Sequence, residues 1–214
     1  MSAQVYLLIL GVVISVTAVV SLFVTYYTIK KEYKKKIKLD ISVEQMLLSE
    51  KRIADFLQKH GLEPGTSIQN IAEALHVVEG GVENELSGRA RLSEPDADGK
   101  MTVIFKSGLS EKERLFDFAH ECGHRINRDP TPATRPEGSN KSEIEQLADY
   151  VAAALLMPLE SVDRYLTEHD YENSSRRKKV ILIRDLCKKY GVSEMIALRR
   201  VKEVYVIKQS GLNR

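Results

Sequence analysis

The chain has 214 residues, 43% of them apolar and 29% charged, which excludes a disordered or low-complexity polymer and leaves room for one sizeable domain. Its two cysteines, Cys122 and Cys187, form no C-x-x-C pair, so a disulfide framework and a cysteine-ligated zinc finger are both excluded. The net charge of +2 hides an uneven distribution. Residues 1–29 carry no charged side chain, 30–38 (KKEYKKKIK) hold six Lys and one Glu, and 39–214 hold 26 basic and 29 acidic residues.

Residues 5–29 (VYLLILGVVISVTAVVSLFVTYYTI) are long enough, at about 1.5 Å per residue, to cross a hydrocarbon core of about 30 Å. Tyr26 and Tyr27 stand at the end of the run, where aromatic rings favour the headgroup region, and the lysines follow at once. A cleaved signal peptide would carry its positive charge before a shorter apolar run. The expectation is a single transmembrane helix at 5–29 with its N-terminus outside. A basic linker at 30–44 and a domain at 45–208 would then face the cytoplasm at the cell membrane.

Apolar spacing predicts a helix over 41–60, stopped by Gly61 and Pro64, and a second over 68–78, capped by Ser67 and ended by Gly80-Gly81. Residues 88–93 and 101–106 flank the turn PDADG and read as a β-hairpin. Ser110, with Glu113 at capping-box spacing, opens a helix that runs through LFDFAHECGHRIN and ends before Asp129-Pro130. Residues 129–141 read as a loop. Helices follow at 142–157, 159–168, 177–190 and 193–206. The fold class is α+β, mostly helical, with a small antiparallel sheet.

His120-Glu121-Cys122-Gly123-His124 is an H-E-x-x-H motif. On a helix, positions i and i+4 share a face, so His120 and His124 can hold one Zn²⁺, with Glu121 placed to act as general base. Two buried histidines without a metal would repel when charged and lack partners when neutral. A catalytic zinc needs a third protein ligand and an open fourth position. Glu145, 21 residues after His124 at the start of an apolar helix, fits the third place, with Glu143 as competitor. Asp149, one turn on from Glu145, can accept the free ring N–H of His120 or His124 and fix its tautomer. The Ala152-Ala153-Ala154 run would let the two helices approach closely. Tyr150, Tyr165, His169 and Tyr171 are candidate donors to an oxyanion. His60 and His76 lack spaced partners, and Cys122 reads as a small apolar filler.

LFDFAHECGHRIN followed by EIEQLADYVAAALLMP resembles the ImmA/IrrE family of metallopeptidases, with weaker similarity over 50–205. The resemblance implies a zincin-like fold of gluzincin type and an active zinc endopeptidase of bacteria and mobile elements. It also implies that such an enzyme cleaves a regulatory protein such as a helix-turn-helix repressor. Carried over by position, it puts the zinc ligands at His120, His124 and Glu145 and the catalytic acid at Glu121. Asp149 stands where relatives often have Asn, and the membrane anchor departs from the simplest members.

A rival reading comes from the C-terminus. LCKKYGVS followed by EMIALRRV has the look of a helix-turn-helix pair at 177–206, and residues 176–202 hold ten Lys or Arg against two acids. A membrane-tethered DNA-binding regulator, or a metal-binding regulator without turnover, is therefore the alternative. Basic charge alone supplies only non-specific affinity, and direct nucleic-acid binding is not the expectation.

Overall fold

The computed structural model describes residues 41–129 and 141–211. The expected membrane span at 5–29, the linker up to residue 40 and residues 130–140 of the expected loop lie outside the described residues. No helix among the described residues is long and apolar enough to cross a membrane.

Helix α1 (Val43–Lys59) starts at Ser42, whose hydroxyl accepts from the Gln45 amide while the Gln45 side chain accepts from the Ser42 amide. It buries the stripe Met46, Ser49, Ile53 and Leu57. Helix α2 (Ile68–Ala74) is shorter than its apolar spacing predicts. The chain turns at His76, with φ 57°, and enters strand β1 (Val77–Glu83). Val77 and Val78 are β-branched and suit a strand. Gly80 and Gly81, read as a helix stop, instead lie where the register of β1 shifts between Glu79 and Val82. A Cβ on Gly80 would come within 2.2 Å of Thr102 Cγ2 and 3.1 Å of the Val103 carbonyl oxygen, so a larger residue there would force Thr102 to move.

Strands β2 (Ala90–Leu92) and β3 (Met101–Lys106) form the expected antiparallel hairpin, pairing Ala90 with Phe105 and Leu92 with Val103. In its turn, the Asp96 carboxylate accepts from the amides of Asp98 and Lys100. β1 pairs with β3 in parallel, giving the order β1-β3-β2. The sheet is thus mixed rather than antiparallel, because a segment expected to be helical supplies a third strand. Met101, Val103 and Phe105 alternate onto its buried face.

Five helices follow: α3 (Glu111–Asn127), α4 (Lys141–Leu156), α5 (Leu159–Glu168), α6 (Arg176–Tyr190) and α7 (Glu194–Ser210). One apolar cluster joins α1, α2, the sheet, α3 and α4 around Met46, Ile71, Phe105, Phe118, Cys122 and Val151. A second joins the end of α4 to α5, α6 and α7 around Met157, Val162, Leu186 and Val201. Polar clips tie the sheet to α3. Arg89 Nε donates to Asp117 at 3.0 Å, and Arg114 pairs with Glu79 while stacking over Phe105. Helix α4 belongs to both clusters, which makes it the central element against which α3 is set.

Candidate metal centre

The capping box at Ser110 and Glu113 forms as the spacing predicts and fixes the start of α3. Along this helix Phe118, Ala119, Cys122 and Ile126 face the apolar core. That leaves His120 and His124, one turn apart, on the flank turned toward α4. The helices cross closely at Gly123, where an added Cβ would stand 2.9 Å from the Ala148 carbonyl oxygen. The alanines at 152–154 are buried as well, but the tight approach is made one turn earlier than the sequence suggested. It brings Glu145 and Asp149, at i and i+4 of α4, against both histidines.

Three ligand atoms converge. His120 Nε2 lies 3.0 Å from His124 Nε2 and 3.2 Å from Glu145 Oε2, and His124 Nε2 lies 3.6 Å from the same oxygen. Zinc bonds of 2.0–2.1 Å at tetrahedral angles place neighbouring ligand atoms about 3.3–3.4 Å apart. The trio has that spacing, and it is the one group of three or more such residues among the described residues that could hold a metal ion. The opposite ring nitrogens are also engaged. His120 Nδ1 is 2.9 Å from Asp149 Oδ1, and His124 Nδ1 is 2.9 Å from Asp129 Oδ2. A carboxylate on each Nδ1 fixes the tautomer that leaves Nε2 free as a ligand. Both histidines are nearly buried, while the Glu145 side chain stays 41% exposed, so one side of the cluster is open.

Asp129 was missed by the sequence reading. Arg128 ends α3 in the left-handed conformation, φ 60°, which turns the chain back so that the Asp129 amide donates to the His124 carbonyl and its carboxylate reaches the His124 ring. The signal was an acid directly after the helix end, five residues beyond the second histidine. The competing ligand Glu143 is held by the Gln45 side chain and is not part of the trio.

The electrostatics fit a cation site. Burial disfavours a charged His120, yet its hydrogen bonds to Asp149 and Glu145 prevail and hold its pKa up at about 10. His124 is raised in the same way, against burial, by Asp129 and Glu145. Hydrogen bonds from His120 and His124 hold the Glu145 carboxyl well below its ordinary range. The carboxylates thus favour positive charge at this spot. Burial raises Glu121, which makes it a stronger proton acceptor than an exposed carboxylate. Cys122 is fully buried with its thiol pushed up to about 12, consistent with an inert filler.

The candidate oxyanion donors are not joined to this cluster. Tyr150 is fully buried and donates to Glu50 at 2.6 Å. Tyr165 packs on His169, and the Tyr171 ring lies tilted beside Tyr205, 6.1 Å between centroids. His60 packs on Phe56, and neither His60 nor His76 belongs to a group of three ligands among the described residues. Of the ten basic residues at 176–202, Arg199 is mostly buried and Arg200 wholly so, both paired with acids. They are not surface cations.

No curated protein matches the chain. Among solved structures, a Mycobacterium tuberculosis transcriptional regulator is 17% identical, over 76% of this chain and 47% of that one, with a TM-score of 0.46. The chain thus spans less than half of that protein's length, and the likeness is too slight to carry an argument. A family model described as the IrrE N-terminal-like domain, a peptidase family, matches residues 72–202. That stretch runs from α2 into α7 and contains His120, Glu121, His124, Glu145 and Asp149, so the motif helix, the helix crossed against it and the sheet beside them all fall within the match. The chain belongs to the IrrE N-terminal-like domain family.

Proposed function

We propose that this domain is a zinc-dependent endopeptidase of gluzincin type, spanning about 45–208. In this reading it is anchored by residues 5–29 with the catalytic domain on the cytoplasmic side, and it cleaves a regulatory protein such as a helix-turn-helix repressor. The observation that carries it is the convergence of His120 Nε2, His124 Nε2 and Glu145 Oε2, with a carboxylate on the far nitrogen of each ring. Family membership supports peptidase chemistry. The apolar run and the lysines after it support the anchor. Buried Arg199 and Arg200 weigh against the DNA-binding alternative.

The residues divide the work. His120, His124 and Glu145 would hold the ion. Asp149 and Asp129 keep both rings in the ligating tautomer. Zinc bound there supplies a Lewis acid for the scissile carbonyl and lowers the pKa of water from 15.7 to about 7. Glu121, next to His120 and raised by burial, takes a proton from the attacking water and delivers it to the leaving amine.

Glu121→Gln keeps size and polarity but removes the proton acceptor. Zinc content should stay at wild type, while cleavage of a test repressor in cells falls by about 10²–10⁴. Continued cleavage by this variant would refute the peptidase reading. Protease added to intact cells should spare residues 45–208, and their digestion from outside would reverse the topology.

A further inference from the structure

We propose that Arg199, on the C-terminal helix, is a positioning residue for the metal centre: it acts through Asp149 to fix the His120 ring and is itself locked by a polar circuit whose inner members, Arg200 and Glu203, are fully buried. The proposal rests on reading the cluster of His120, His124 and Glu145 as a metal site.

The circuit can be followed atom by atom. His120 Nδ1 meets Asp149 Oδ1 at 2.9 Å. The other Asp149 oxygen, Oδ2, accepts from Arg199 NH1 at 2.9 Å. Arg199 Nε donates to Glu203 Oε1 at 2.9 Å, and Glu203 Oε2 accepts from Arg200 NH1 at 3.4 Å. Arg200 NH2 donates to Glu50 Oε1 on α1 at 2.7 Å, and Tyr150 OH donates to the same oxygen at 2.6 Å. Tyr150 is the neighbour of Asp149 on α4, so the path closes on the helix where it began. A further bond, Arg200 Nε to the Met157 carbonyl at 2.8 Å, pins the end of α4.

The geometry assigns a direction to this ring. A terminal carboxylate torsion is broad, so Asp149 alone could rotate and share its oxygens between solvent and His120. Its side chain is 36% exposed. The Arg199 guanidinium removes that freedom by claiming Oδ2 and leaving Oδ1 to His120. The guanidinium is in turn held at Nε by Glu203 and at NH2 by the Gln146 carbonyl, 3.4 Å away. A rigid planar fork can meet three acceptors at once, which a lysine ammonium on a flexible stem cannot. Glu203 and Arg200 are completely buried, so the anchor cannot drift. In this way α7, fifty residues beyond Asp149, sets the aim of a ligand nitrogen. Tyr150 belongs to this support rather than to the reacting groups.

The test is a double-substitution cycle in the full chain purified in detergent, read as Zn²⁺ affinity by chelator competition. Arg199→Met and Asp149→Ala should each weaken Zn²⁺ binding by about 10–100-fold, as expected for groups that orient a ligand. The double variant should bind no more weakly than Asp149→Ala alone, because Arg199 has nothing left to act through. Arg199→Lys keeps a charge for Glu203 but cannot bridge to Asp149, and it should also bind more weakly than wild type. It takes the place of Arg199→Met in the cycle if that variant does not fold. Wild-type Zn²⁺ affinity in the Arg199 variant, or a loss that simply adds to that of Asp149→Ala, would overturn the proposal. Absence of Zn²⁺ binding in the wild-type chain, or full binding after His124→Ala, would overturn the metal reading with it.

Discussion

Replacing Gly123 with alanine sets two known effects against each other at the crossing that builds the site. Alanine is favoured over glycine inside a helix by about 1 kcal/mol. The new methyl, however, would stand 2.9 Å from the Ala148 carbonyl oxygen and 3.4 Å from both Ala148 Cα and Val151 Cβ. The nearest atoms are backbone and cannot swing aside. Carbon–oxygen contacts settle at about 3.3–3.6 Å, so the helices must part by about 0.4–0.7 Å. Overpacking of this kind costs about 1–3 kcal/mol. The net effect is a loss of about 0–2 kcal/mol, or a melting point lower by up to about 8 °C for a domain of this size. Metal binding should suffer more clearly than stability. Ligand distances are tolerated within about 0.2 Å, and Glu145 lies one turn from the contact. Zn²⁺ affinity should fall at least about tenfold, a change of about 1.4 kcal/mol. Calorimetry and chelator competition on the same preparation read both quantities. A variant that melts higher than wild type and binds Zn²⁺ equally well would show that the helices do not meet at Gly123.

Three further outcomes follow from particular groups. Arg200→Met takes from the fully buried Glu203 one of its two arginines and from the half-buried Glu50 its arginine partner, and breaking such a buried pair costs about 3–5 kcal/mol. A thermal melt should show a drop of at least about 6 °C, and an unchanged melt would refute the buried circuit. Asp129→Asn removes the charge that faces His124 Nδ1 at 2.9 Å, and chelator competition should show Zn²⁺ bound about 10–100-fold more weakly at unchanged fold. Zn²⁺ binding should also depend on pH. The ion must displace protons that the carboxylates hold on His120, up to about pH 10, and on His124. Lower pH therefore weakens binding, with affinity rising about tenfold per pH unit for each proton released. Flat affinity between about pH 6 and 8 would mean the histidines are not the ligands.

The parts of the site that could be read from the sequence are those encoded by local spacing. Ser110 with Glu113 announced the start of α3, the i, i+4 relation joined His120 to His124, and the same relation on the next helix joined Glu145 to Asp149. What escaped depends on long-range pairing. Val77 to Glu83 follows a helical stretch and carries two glycines. Its identity as a strand comes from parallel pairing with β3 some 24 residues later, which no local pattern encodes. Asp129 escaped because it lies past the helix end, where a single left-handed residue, Arg128, swings it back. The roles of Arg199 and Arg200 escaped, since a run of cations does not reveal that Glu50, Asp149 and Glu203 fold against two of them. Small residues on α4 did signal a close crossing, but the residue that needs to be small is Gly123 of the motif itself.

Zinc K-edge X-ray absorption on the full chain loaded with one equivalent of Zn²⁺ addresses the metal centre most directly. Two imidazole nitrogens and carboxylate oxygen should appear at about 2.0–2.1 Å with no sulfur, because Cys122 faces the core. The imidazole signal should halve in His124→Ala. A sulfur ligand at about 2.3 Å, or an unchanged spectrum in that variant, would contradict a centre built from His120, His124 and Glu145.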